Sequence, residues 1–239
     1  MKPVTLLQPR RLVFGSGRAL ECASDLLALG LRRALIVTSP PTRALAEPMA
    51  AAIRDAGAAS EIYDGVAGEP SIASFNDALA AARAFGPDAV IGLGGGSALD
   101  VAKLVAALHN AAQDVRAVLG TNLLAGRSTY LACLPTTAGT GSEVSPNAIL
   151  LDERENLKKG AVSPFLVPDA AYVDPVLTRS APAPVTATAG MDALTHCIEA
   201  YANVNAHPLV DLYALEGIRL IGAHLARAVE CPEDLEARE

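Results

Sequence analysis

The sequence lacks a C-x-x-C pair, an excess of basic charge and any long apolar run, and each absence removes a class of function. Cys22, Cys133, Cys197 and Cys231 lie far apart, which argues against a zinc knuckle, a dithiol redox motif or a disulfide framework. All four are expected to be small buried side chains. Lys and Arg number 19 against 26 Asp and Glu, so the net charge of −7 offers no general attraction to nucleic acid or anionic lipid. No apolar run approaches the ~18 residues that a bilayer span requires. The apolar stretch between Met1-Lys2-Pro3 and Pro9-Arg10-Arg11 is too short for a signal peptide, so a cytoplasmic protein is expected. At 239 residues, 51% hydrophobic and 19% charged, the chain is too apolar to be disordered and long enough to bury a core.

What is present is the text of a parallel sheet covered by helices. Apolar runs at Ala34 to Thr38, Ala89 to Leu93 and Tyr130 to Leu134 read as strands. The alanine-rich stretches Thr42 to Ala56, Ser71 to Phe85 and Ser97 to Leu108 read as helices, with Gly57 and Gly86 as stops for the first two. After about Ala161, Pro164, Pro168, Pro175, Pro182 and Pro184 punctuate the chain and no strand-like alternation follows. Beyond them Thr186 to Tyr201 and Leu209 to Val229 are helical, broken at His207-Pro208. The expected organisation is an α/β domain over residues 1–180 and an incomplete all-α domain over 181–239. Two helices rarely make a core alone, so a cover for them is expected from the first domain, another subunit or further sequence.

Three segments carry chemistry. Gly92-Leu93-Gly94-Gly95-Gly96-Ser97 follows a strand and opens a helix, where bare backbone and a helix N-terminus suit a phosphate. The motif departs from G-x-G-x-x-G because Ser97 holds the last glycine position, and Asp114 does not end a strand as a ribose ligand should. A plain tight turn, with Ser97 and Asp100 forming a capping box, is the competing reading. Pro135-Thr136-Thr137-Ala138-Gly139-Thr140-Gly141-Ser142-Glu143 again follows a strand; its hydroxyls can satisfy phosphate or ribose oxygens, or Thr140 and Glu143 can cap a helix. In Gly190 to Tyr201, Asp192 and His196 stand four apart on one helix face, either as a surface pair or as two ligands of one cation. Glu199 near the same face is a further ligand, an orienter of the imidazole or a solvated charge. His109, His207 and His224 read as structural, the first as a helix C-cap.

The order of these motifs, with Asp100 and Lys103 behind the glycines, Val13-Phe14-Gly15 near the start, and Pro168-Asp169-Ala170 and Val173-Asp174-Pro175 before the helices, closely resembles the iron-containing (group III) alcohol dehydrogenases. The resemblance implies a dehydroquinate-synthase-like fold: an N-terminal dinucleotide-binding parallel-sheet domain, then the first part of an all-α metal-binding domain, with the active site between. Carried over position by position, Gly94, Gly95, Gly96 and Ser97 hold the pyrophosphate of NAD or NADP. Thr136, Thr137 and Thr140 line the cofactor site with Asp100 and Ser145, and Lys158 reaches the cofactor. Asp192 and His196 become the first two ligands of Fe2+ or Zn2+. The implied reaction passes a hydride between NAD(P) and a small alcohol or aldehyde, in a homo-oligomer, a dimer, with the cation as Lewis acid.

Two departures bear on this. Ser39 stands where the family often has an acidic residue facing the adenosine ribose; serine does not repel a 2′-phosphate, so NAD and NADP both stay open. The resemblance also implies two later histidines as metal ligands, and neither His207 nor His224 matches them, so the chain reads as truncated and the site as half built. The alternatives are a catalytically silent nucleotide-binding module and an enzyme resembling the metal-independent maleylacetate reductases.

Overall fold

The structure is a computed structural model that describes residues 3–239. Nine strands and seven α-helices alternate along those residues: β1 Arg11–Phe14, α1 Glu21–Ala28, β2 Arg33–Val37, α2 Arg43–Asp55, β3 Ala59–Tyr63, α3 Ile72–Phe85, β4 Ala89–Gly94, α4 Gly96–Leu108, β5 Gly120–Thr121, β6 Tyr130–Pro135, β7 Asn147–Asp152, β8 Leu157–Val162, β9 Ala170–Val173, α5 Ala183–Tyr201, α6 Pro208–Glu230 and α7 Leu235–Arg238. Six strands form a parallel sheet in the order β1-β9-β6-β4-β2-β3, and a smaller three-stranded sheet runs β5-β8-β7.

Alternation along the central strands sorts the core into two layers. Ala34, Ile36, Ala89, Ile91, Ala132 and Leu134 pack against α1 and α2 on one face. Leu35, Val37, Val90, Leu131 and Cys133 pack against α3 and α4 on the other. With both faces covered, the strands read as continuous apolar runs, which is why they were legible. Gly86 ends α3 at φ 66°, a left-handed position that glycine occupies without strain.

The proline-rich segment departs from expectation. It holds β9, which sits inside the main sheet between β1 and β6, and β7 and β8 precede it. Ala170 to Tyr172 are buried, so the alternation that would reveal the strand is absent. The cysteine expectation holds for Cys22 and Cys133, whose thiols burial pushes up, to about 12 for Cys133; it fails for Cys197, which is half-buried, and Cys231, which is exposed.

Strand order positions the site. From β2 the chain moves outward to β3, then returns to β4 on the other side of β2 and continues to β6 and β9. Such a reversal opens a crevice at the carboxyl ends of β2 and β4. Thr38-Ser39, Gly94 to Ser97 and Pro135 to Thr137 all lie at that edge. Beyond it α5 and α6 pack on each other, yet only Gly190 in the first and Ala214 and Ala228 in the second are buried. Met191, Ile198, Leu212 and Tyr213 are exposed apolar side chains on these helices.

Candidate functional site

Helix α4 begins at Gly96 with Gly95 as its N-cap, and no side chain caps it. The Ser97–Asp100 capping box is therefore not formed, and the helix start is left to backbone N–H groups facing the crevice, the arrangement that favours an anion. The second loop approaches this start closely. A Cβ on Gly96 would lie 2.8 Å from Thr140 Cγ2, and one on Gly95 would lie 3.5 Å from Thr137 Oγ1. Thr136 is buried and donates its N–H to the carbonyl of Gly94 at 2.9 Å. Gly139 lets the loop reach α5, since a Cβ there would stand 2.9 Å from the Ala189 carbonyl oxygen. The capping role expected for Thr140 and Glu143 fails because no helix follows: Thr140 Oγ1 instead accepts from Ser142 N at 3.2 Å, and the chain proceeds to β7.

Two charges on α4 lock these loops in place. Asp100 accepts from Ser142 Oγ at 2.6 Å through one carboxylate oxygen and from Ile149 N at 3.0 Å through the other. Lys103, fully buried, donates from Nζ to Ser145 O at 2.9 Å, Ser145 Oγ at 3.2 Å and Asn147 O at 2.8 Å. Burial sets the chemistry of both: it raises the Asp100 carboxyl against the opposing pull of Lys103 and the two donors, and it lowers the Lys103 ammonium despite nearby acids. Lys103 has no role in the sequence reading beyond the family pattern. The signal was available as an i,i+3 pair of opposite charges in an otherwise apolar helix, which only a specific set of partners makes tolerable.

Glu143 lies beside this pair with its carboxyl raised chiefly by burial. A carboxyl raised in the fold binds protons that the unfolded chain has released, so its ionisation erodes stability as pH rises through its folded value. Glu143→Gln is expected to raise the melting temperature near pH 7 and leave it unchanged near pH 4, where both forms are neutral. Thermal unfolding at the two pH values measures this, and an equal gain at both would assign the effect to packing.

The structure brings most of the candidate residues to one cleft of about 600 Å³. Gly96, Ser97, Asp100, Thr140, Ser145 and Lys158 line it, and so do Asp192 and His196 from α5. Asp192 Oδ1 and His196 Nε2 are 3.8 Å apart, with both side chains about half exposed. A carboxylate oxygen and an imidazole nitrogen suit a divalent transition metal as two of its ligands. Glu199 is exposed and does not join them, and no group of three or more His, Cys, Asp or Glu able to hold a metal occurs among the described residues.

Of the expected site residues, Ser39, Gly94, Gly95, Thr136 and Thr137 do not line this cleft. Thr137 faces a second, mostly apolar cavity beside α5 and α6. Ser39 contacts Thr42, with Oγ to Oγ1 at 2.7 Å, and Thr42 Oγ1 would lie 3.7 Å from a Cβ on Gly94. It thus reaches the glycine loop through one intervening side chain. Lys158 lies in the cleft but pairs with Glu69, a residue absent from every motif. Among the other histidines, His109 is the C-cap of α4 as expected, and His207 caps α6 by accepting from Leu209 N at 3.2 Å.

Two family models match the chain. A family model described as iron-containing alcohol dehydrogenase matches residues 9–175, and one described as the C-terminal part of the Fe-containing alcohol dehydrogenase family matches residues 186–239. Long-chain-alcohol dehydrogenase 1 of Geobacillus thermodenitrificans is 39% identical over 229 residues, which are 94% of this chain and 58% of that protein. The crystal structure of 1,3-propanediol oxidoreductase superposes with a TM-score of 0.95 at 32% identity, over 100% of this chain and 63% of that one. A sulfoacetaldehyde reductase from Bifidobacterium kashiwanohense in complex with NAD+ superposes with a TM-score of 0.90 at 30% identity, over 100% of this chain and 64% of that one. The chain thus spans roughly three fifths of the length of the proteins it resembles. With both family models matched in order across the sheet and the α5–α6 helices, the chain belongs to the iron-containing alcohol dehydrogenase family.

Proposed function

We propose that this chain serves a metal-dependent NAD(P) oxidoreductase acting on a small alcohol or aldehyde. Residues 1–180 form its dinucleotide-binding part, and residues 181–239 form the first helices of its metal-bearing part. The observation that carries the reading is the single cleft in which the uncapped start of α4, the threonine loop and the Asp192–His196 pair meet.

In this reading Gly94, Gly95, Gly96 and Ser97 receive the pyrophosphate on backbone N–H groups, and no Cβ at the glycines blocks its approach. Thr136, Thr137 and Thr140 flank the nucleotide. Asp100 acts through the loop it holds, since both of its oxygens already accept bonds within the protein, and Ser145 acts likewise through Lys103. Ser39 faces the adenosine ribose, and Lys158 reaches the cofactor. Asp192 and His196 would hold the cation. Bound there, a divalent cation supplies Lewis-acid polarisation of the substrate oxygen, and a nicotinamide supplies the hydride acceptor or donor. The protein's own contribution is orientation: the two walls set the cofactor and the α5 pair on facing sides of one opening.

Titration of NADH and NADPH, followed by nicotinamide fluorescence, tests the reading. Saturable binding of at least one is expected, and binding of neither overturns it.

A further inference from the structure

One charged residue lining the cleft, Glu69, has no part in the function proposed above. Glu69, in the loop between β3 and α3, places Oε1 2.6 Å from Nζ of Lys158 in β8, and both residues line the cleft. The Lys158 and Glu69 side chains are 67% and 43% exposed, so water screens the pair and it opens at little cost. The surrounding backbone does not depend on it. Leu151 N donates to Pro70 O at 2.9 Å and Ala73 N donates to Glu153 Oε1 at 3.0 Å, which staples this loop to β7 and the turn after it. An ion pair that the local fold can spare, set in the wall of a ligand cleft, is free to exchange partners.

Its charge matters because Lys158 carries the one ammonium among the described residues lining the cleft, and no arginine joins it. Any anionic oxygen that enters must compete with Glu69 for that ammonium. We propose that Glu69 is a counter-ion latch: it holds Lys158 in the free protein and releases it to an oxygen of the incoming nicotinamide nucleotide, so that cofactor affinity depends on this exchange. The inference rests on the reading of the cleft as a nucleotide site. Glu69 is a positioning residue in this scheme, acting on the cofactor through Lys158.

A double-mutant cycle tests it. NADH is titrated by fluorescence into the unaltered chain, Glu69→Gln, Lys158→Met and the double variant, at low and at moderate salt. Glu69→Gln is expected to tighten binding about two- to fivefold, the span of an exposed ion pair, and the gain should shrink as salt rises. Lys158→Met weakens binding, and in that background Glu69→Gln changes nothing. Melting temperatures of the unliganded variants stay together, because the backbone staples are intact. Unchanged or weaker binding by Glu69→Gln overturns the latch. A gain that persists in the Lys158→Met background also overturns it, since that outcome assigns the effect to direct repulsion. If the unaltered chain binds neither NADH nor NADPH, the nucleotide reading itself fails, a result distinct from the loss of coupling within the cycle.

Discussion

On the function proposed above, Asp192→Ala and His196→Ala are each expected to lower metal-dependent alcohol turnover by at least about a hundredfold while NADH binding changes by no more than about twofold. The asymmetry follows from the two walls of the cleft. Both residues stand on α5, and the glycine loop that would take the pyrophosphate stands on α4. With two protein donors 3.8 Å apart and no third among the described residues, removing either leaves one, and a single side chain does not retain a divalent cation. Turnover with added Fe2+ or Zn2+, set beside NADH titration of the same variants, reads both halves of the expectation. Turnover that survives either substitution would remove the α5 pair from the reaction. Intact cofactor binding with no turnover in the unaltered chain would instead favour a silent nucleotide-binding module.

Lys103→Met should cost about 3 kcal/mol of stability, because it removes the donor that two carbonyl oxygens and a hydroxyl meet at the fully buried end of Lys103, while the methionine stem fills most of the lysine's volume. Lys103 Nζ serves Ser145 O and Ser145 Oγ, in the segment after the threonine loop, and Asn147 O at the start of β7. At the usual sensitivity of a domain this size, that loss lowers the melting temperature by roughly 6–12 °C. Because the same bonds hold the loop against α4, NADH affinity should fall with stability, unlike in the α5 variants. A melting temperature within about 2 °C of the unaltered chain would mean that water or a shifted loop satisfies the freed carbonyls.

The legibility of the molecule followed burial pattern. Ala89 to Leu93 and Tyr130 to Leu134 are buried on both faces and flanked by turn residues, and their strands lie where the apolar runs predict. Helices α2, α3, α4 and α6 begin and end within a residue of their expected limits, while α5 starts three residues earlier at Ala183 because Pro184 suits a first helical turn. The strand at Ala170 to Val173 stayed hidden because it is short, carries two alanines and lies among prolines. Neither of the competing capping-box readings is realised: no helix follows Thr140, and Asp100 is engaged elsewhere than by Ser97. Spacing specifies which side chains can reach each other on a helix, whereas the real partners, Ser142 and Ile149 for Asp100, arrive from residues more than forty positions away.

By itself the sequence determined the α/β layering, the glycine and threonine loops after their strands, and the Asp192–His196 face, because each depends on periodicity or on neighbours within one turn. Tertiary structure alone decided that these pieces meet in one cleft, that Lys103 and Asp100 are tethers within it, and that Glu69 stands against Lys158. Those facts arise from strand order and from contacts between distant segments, which local spacing does not encode.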